Sequence, residues 1–282
     1  MPLLCFDAGA FKAVHPHKLL AEPSHENADM TAHHEHFIMA LDGVSGVLPP
    51  MKPADFSWDL RNILNYNLKK RFSINTGRDN YDMTLKNIYS RGKPKVSGGW
   101  LRDCLALSLT QITQLGSTTL AVATIIGTRI TWLCVGDARI YVFTYDQNLG
   151  TYRVKFASEV MVTHGCVNSA GNYCNGPVQL CQYDKNHVNE VSAIELASRA
   201  SVNTLEADIG DVVLTMSDGP GDCLAPGEIA NILFDAYKMD QTPRDIAKRI
   251  VDVSIGSLLK VDDMSCAVGV VKAKSLKRPR SE

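Results

Sequence analysis

The chain has 282 residues, 45% of them apolar and 21% charged. That composition is globular, and the length can bury a core without disulfide or metal staples, which excludes a disordered chain and a cystine-stapled mini-protein. With 29 basic and 30 acidic residues the net charge is -1, which argues against a strongly basic nucleic-acid binder.

Taken in chain order, residues 1–18 carry no basic segment ahead of an apolar core. They are read as neither a secretory signal nor, with no arginine, a mitochondrial transit peptide. Six of the eight histidines follow quickly: His15, His17, His25, His33, His34 and His36. None has the spacing of a helical ligand pair, so the segment reads as a polar hairpin or loop. Residues 37–41 (FIMAL) predict a buried strand that stops at Asp42-Gly43. Residues 54–72 predict an amphipathic helix through Phe56, Leu60, Ile63, Leu64, Leu68 and Phe72, with Lys69, Lys70 and Arg71 at its C-terminal end. Residues 73–98 read as polar loop, and 99–115 as a second helix.

Strands follow at 118–126, 130–135, 139–144 and 151–157, all rich in Thr, Ile, Val, Tyr and Phe. The longest apolar stretches, 118–128 and 130–135, fall short of the ~20 residues of a membrane span. Residues 158–203 are the least regular part, with a helical patch at 192–199. Cys166, Cys174 and Cys181, near His164 and His187, form a zinc candidate without a Cys-x-x-Cys pair. The eight cysteines otherwise read as reduced intracellular thiols. Another strand, 211–216, again ends in Asp-Gly. Helices are predicted over 226–238 and 243–259, the second with Thr242 as N-cap and Pro243 in its first turn. A last apolar strand covers 264–271. The reading is one α/β domain over 1–271 with helices in pairs between strand blocks, followed by a basic, disordered tail over 272–282. The tail holds five basic residues and one acid, a net of +4, so a total of -1 leaves -5 on residues 1–271.

The informative pattern is where the aspartates stand. Asp42, Asp137 and Asp218 each follow an apolar strand, and Asp262 precedes one. Asp-Gly after a strand is a common turn, so each aspartate alone is a turn residue. Carboxylates anchored at strand ends can also converge on one sheet edge, where they repel unless cations lie between them. Oxygen ligands favour Mg²⁺ or Mn²⁺, and paired ions activate water towards a phosphorus centre.

These residues, in order, resemble the metal-dependent protein phosphatases of the type 2C (PPM) family. Asn27-Ala28-Asp29 resembles the early Asn-Glu/Gln-Asp motif, and Asp29 lies 13 residues before Asp42, the spacing of the short bacterial-style form. Asp42-Gly43-Val44-Ser45-Gly46 resembles Asp-Gly-x-Gly-Gly, and Gly116-Ser117-Thr118 the Gly-Ser/Thr-Thr step. Gly136-Asp137-Ala138-Arg139 resembles Gly-Asp-Ser-Arg. Gly210-Asp211 and Ser217-Asp218-Gly219, with Asp222, resemble the Gly-Asp and Ser-Asp-Gly-x-x-Asp block. Asp262-Asp263-Met264-Ser265 resembles the final motif. Asn175-Gly176-Pro177-Val178-Gln179-Leu180 resembles the Asn-x-Pro-x-Gln-Leu segment of a eukaryotic branch that includes mitochondrial members, and the Asp-Asp at 262–263 fits that branch.

The resemblance implies a type 2C β-sandwich, two mainly antiparallel sheets flanked by helix pairs. It implies two Mg or Mn ions. Asp42 would bridge both, the Gly43 carbonyl would ligate one, and Asp218 and Asp262 would complete one shell. Asp29 and Asp137 match the positions of a looser third ion. The implied activity is in-line attack of metal-activated water on a phosphoserine or phosphothreonine ester, without a phosphoenzyme. Asp222 and Asp263 read as supporting acids or turn residues. The implied partner is a phosphoprotein substrate, with no nucleic acid and no membrane, for a monomer in the cytoplasm or nucleus rather than the mitochondrion.

The pattern also departs from the family. Ala28 stands where many members carry Glu, Ser45 replaces a Gly, and Val44 stands where some members carry His. The family's early phosphate-binding Arg would fall near Ser24, and none is there. Lys18 and His25 are candidates to replace it, so the residue that binds substrate phosphate is unassigned. The second reading is therefore a catalytically weak family member acting as a binding or regulatory module. In the tail, Lys277, Arg278 and Arg280 read either as a nuclear-import signal or as a solvated basic run.

Overall fold

The computed structural model describes residues 3–44, 52–73, 99–167, 173–182 and 193–274. Two antiparallel sheets lie face to face. The first has five strands in the order β1 (Leu4–Ala13), β13 (Met264–Ala273), β12 (Val212–Met216), β6 (Arg139–Asp146) and β7 (Thr151–Ala157). The second runs β11 (Ser201–Glu206), β5 (Arg129–Val135), β4 (Gly116–Ile126), β3 (Phe37–Gly43) and β2 (Met30–His34), with β10 (Leu180–Gln182) pairing the start of β4. β8 (Val162–Val167) and β9 (Tyr173–Pro177) form a separate hairpin.

Side-chain alternation sorts the strand residues into layers. On β3, Phe37, Met39 and Leu41 face an outer core with Phe56, Leu60 and Leu105, while Ile38 faces the other sheet. On β12, Val212, Leu214 and Met216 face a second outer core with Ile229, Leu233 and Ile250, while Val213 points inward. The inward layer from both sheets, including Phe6, Ala121, Trp132, Ile140 and Val271, fuses them into a sandwich. Helices α2 (Pro53–Ser73) and α3 (Gly99–Leu109) cover the β2–β3–β4–β5 side, and α6 (Pro226–Lys238) and α7 (Pro243–Ser257) cover the other. Shorter helices are α1 (Pro16–Ala21), α4 (Ala193–Ser198) and α5 (Asp218–Cys223). The expected sandwich of two antiparallel sheets between helix pairs is what forms.

Several boundaries differ from the sequence reading. The N-terminal segment is more regular than the polar hairpin or loop expected: β1, paired along its whole length with β13, and α1 come first, while β2 and β3 form a hairpin with His33, His34 and His36 at its turn. Helix α3 stops at Leu109 rather than 115, and α7 at Ser257. The irregular region contains β8, β9, β10 and β11, and its helical patch is α4. β13 continues through Lys272 and Ala273, the first two residues of the segment read as tail. Lys277, Arg278 and Arg280 lie outside the described residues, as do Ser45, Gly46 and most of the 73–98 loop. No helix among the described residues is long and apolar enough to cross a membrane.

Candidate metal centre

Antiparallel pairing brings the strand-end aspartates together. β3 ends where β4 begins, with Gly43 opposite Thr118. β5 returns to that end, turns through Gly136-Asp137, and β6 leaves from it. β12 ends opposite Arg139, and β13 starts beside β12. Asp42, Asp137, Asp218 and Asp262 therefore share one end of the sandwich. Continuing the β2–β3 register by one position from Met30 opposite Leu41 puts Asp29 across from Asp42.

Two close approaches hold this end. A β-carbon on Gly136, which has φ +85, would come within 2.6 Å of the Thr119 side chain and of the Val178 carbonyl. Only glycine fits there, so the turn presenting Asp137 packs directly against the segment before β10. A β-carbon on Gly219 would lie 2.4 Å from the Asp263 carbonyl, which locks α5, and with it Asp218, onto the start of β13.

One carboxylate oxygen from each of Asp42, Asp137 and Asp218 lies within 4.8 Å of the others. Asp29 is buried, and its Oδ2 has no hydrogen-bond partner, nor has Oδ1 of Asp137. Burial lifts the Asp29 carboxyl to about 7, with repulsion from Asp263, Asp218 and Asp262 adding to it and the Ser217 hydroxyl opposing. Burial first, then Asp218, pushes Asp137 up to about 6. Asp42 is raised well above the carboxylate range by burial and by Asp29, Asp218, Asp137 and Asp262. Orphaned, crowded oxygens with no nitrogen or sulfur donor among them fit a hard divalent cation.

Asp262 is outside that triad. Lys18 of α1 donates to its Oδ1 at 2.6 Å and stands 3.6 Å from Asp263. Burial alone would raise Asp262, but Lys18, with help from the Asp263 N–H and Lys260, holds the carboxyl below its ordinary value. Lys260 pairs with Asp218, with Asp222 at 3.1 Å and with Asp262 at 3.6 Å. Asp218 remains raised, because burial, with repulsion from Asp262 and Asp222, outweighs Lys260. Asp263 is buried, accepting from the Ala28 N–H at 3.0 Å and meeting His25 Nε2 at 3.1 Å. Asp222 pairs with Arg139 at 2.9 Å.

Sequence reasoning named Lys18 and His25 without placing them, and it missed Lys260. The one available signal for Lys260 is a lysine two residues before Asp262. The described histidines meet in local pairs, His15 with His17 and His34 with His36. His15 Nδ1 accepts from the His17 N–H, and the His34 and His36 rings stack on Phe37 and Phe72 respectively. Among the described residues no His or Cys cluster gathers metal ligands. Cys166 and Cys174 are register partners across the β8–β9 hairpin, Cys181 is a half-buried cysteine on β10, and His187 lies outside the described residues.

The fold is that of type 2C serine/threonine phosphatases, and solved members align over nearly the whole chain. The photosystem II phosphatase PBCP is 20% identical, with TM-score 0.61, over 95% of this chain and 99% of its own. Serine-threonine phosphatase 2C from Toxoplasma gondii is 13% identical, with TM-score 0.61, over 96% and 98%. The catalytic domain of PstP, solved with two manganese ions, is 14% identical, with TM-score 0.54, over 95% and 99%. No protein-family model and no curated protein sequence matches the chain.

Proposed function

We propose that this protein is a Mg²⁺- or Mn²⁺-dependent protein serine/threonine phosphatase. The observation that carries the reading is the convergence of Asp42, Asp137 and Asp218 oxygens within 4.8 Å at the end of a type 2C sandwich. Asp42, Asp218 and Asp262, with the Gly43 carbonyl, are the residues that would hold two ions, and Asp29 and Asp137 would serve a third. Bound there, such ions neutralise phosphate charge and lower the pKa of water. Asp42 reaches the site from one sheet and Asp218 from the other, so the sandwich itself sets their separation. Lys18 and Lys260 bring positive charge to the same mouth. The Asn175–Leu180 segment supports placement in the eukaryotic branch. The substrate is a phosphoprotein, bound by a monomer without nucleic acid or membrane, in the cytoplasm or nucleus.

The test is Mn²⁺-dependent hydrolysis of p-nitrophenyl phosphate and of a phosphothreonine peptide. Asp218→Asn removes a direct ligand and lowers turnover by at least about 100-fold, since even outer partners of metal ligands cost 10–100-fold. Wild-type turnover no greater than that of the variant sinks the reading. The second reading, a weakly catalytic binding module, draws on the ion pairs of Lys18 and Lys260 with the proposed ligands. It predicts stoichiometric Mn²⁺ binding by calorimetry without turnover.

A further inference from the structure

A groove of about 460 Å³ lies beside the acidic centre. β1 contributes Phe11 and Lys12, β2 contributes Met30 and Thr31, α2 contributes Trp58 and Arg61, and α7 contributes Arg244. It adjoins the centre through β2, since Met30 follows Asp29 and the Lys12 ammonium donates to the Asp29 carbonyl at 2.9 Å. The groove holds three cations and its lining has no carboxylate. Two acids close by in sequence are engaged elsewhere. Asp59 accepts from the Thr113 N–H at 3.0 Å, and Asp245 closes the capping box of α7 with Thr242.

The lining is not neutralised from within. Arg244 is exposed and has no hydrogen-bond or ion-pair partner among the described residues. Arg61 donates only to neutral acceptors, the Thr31 carbonyl at 2.9 Å and Asn62 Oδ1 at 2.7 Å. Burial lowers the pKa of nearby His33, and Lys69, Arg61 and Arg244 lower it further, a sign that positive potential dominates this face. Trp58 is 57% exposed, a large aromatic surface at the edge of the cationic lining. An exposed tryptophan beside arginines that make no ion pair is the composition of a recognition surface.

We propose that this groove binds an acidic peptide segment, and that it selects phosphoproteins with acidic residues flanking the phosphorylated one. The substrate assignment rests on the phosphatase reading; the peptide-binding assignment does not. Charge complementarity favours glutamate- or aspartate-rich chain, with Arg244 and Arg61 facing carboxylates and Trp58 packing on side-chain stems. A few residues of extended peptide fill the volume. A nucleic acid needs a longer cationic track, and the chain is close to neutral.

The experiment is fluorescence anisotropy of the full chain in EDTA, where no hydrolysis intervenes. The probes are a fluorescein-labelled eight-residue peptide with four glutamates and the same peptide with glutamines. The glutamate peptide is expected to bind at least about tenfold tighter, and more weakly as salt rises. Arg244→Glu is expected to weaken it about fivefold or more, with Arg244→Ser intermediate, and Trp58→Ala about tenfold. Arg153→Glu, on β7, is the control and leaves binding unchanged. Thermal melts by circular dichroism confirm that each variant folds. Equal affinity for both peptides, or equal loss in the Arg153 and Arg244 variants, overturns the proposal. So does an Arg244→Glu effect confined to oligouridylate or to phosphatidylserine vesicles. If peptide binding holds but Mn²⁺-dependent hydrolysis is absent, the groove stands and the phosphatase reading falls.

Discussion

At the residue scale, an ammonium group and a divalent cation compete for the same carboxylates. Lys260 pairs with Asp218 and stands 3.6 Å from Asp262, both proposed ligands, so bound metal must displace it or share them. Lys260→Met is therefore expected to tighten Mn²⁺ binding by about three- to tenfold, read by calorimetry; the gain is modest because the pair is partly solvated. Weaker binding in the variant would mean that the lysine positions the ligands instead of competing for them. The buried acids give a second test. Asp137 has a folded pKa of about 6 against an ordinary 3.8. Between those values the folded state holds more protons than the unfolded one, so this group's contribution to stability is intact at low pH. It falls away as pH rises through about 6. Asp137→Asn removes that slope. In metal-free buffer the variant should gain on wild type between pH 4 and pH 7, by on the order of 1–2 kcal/mol in denaturant unfolding. A pH-independent difference would contradict the burial argument.

At the element scale, the turn between β5 and β6 carries Asp137 on a backbone that only glycine fits. Gly136→Ala puts a methyl group at φ +85 and into the Val178 carbonyl, so it should cost at least about 2 kcal/mol by chemical denaturation and lower Mn²⁺ affinity together. Full affinity in the alanine variant would show that the turn does not set the aspartate. The same strands show why part of the fold could be read in advance. FIMAL, WLCV and VVLTM are apolar on both faces, because a helix layer covers one side and the opposite sheet the other. Their ends, with Asp42, Asp137 and Asp218, were legible for that reason. β11 was not, since Ser201, Asn203, Thr204 and Glu206 are exposed on an edge strand. β1 was hidden by Asp7, Gly9 and Lys12, whose strand state comes from pairing with β13 more than 250 residues away. α5, DGPGDC, has almost no helix propensity, and its turn is set by packing of Gly219 on Asp263. The Lys18–Asp262 contact spans 244 residues of sequence, beyond the reach of any local pattern.

At the scale of the whole molecule, the acidic end joins the two halves of the sandwich. Asp29 and Asp42 come from the sheet covered by α2 and α3, Asp218 and Asp262 from the sheet covered by α6 and α7, and Asp137 sits on the crossing between them. The inward apolar layer holds the sheets together, while crowded carboxylates at this edge push them apart. A cation between them both cancels the repulsion and ties one sheet to the other, so metal binding should stabilise the entire fold. Ligand at 100 times its Kd contributes about 2.7 kcal/mol. In a chain of this size each kcal/mol moves the melting temperature by about 2–4 °C, so saturating Mn²⁺ should raise it by about 5–10 °C over EDTA. The rise should shrink at pH 5, because protons then occupy Asp29 and Asp137, whose carboxyls lie at about 7 and about 6. It should largely vanish in Asp218→Asn, while Arg153→Glu, at an exposed site on β7, should keep it in full. A melting temperature indifferent to Mn²⁺ in wild type at pH 7.5 would separate the acidic end from metal binding altogether. The carboxylates would then be a locally destabilising feature offset by Lys18 and Lys260 alone.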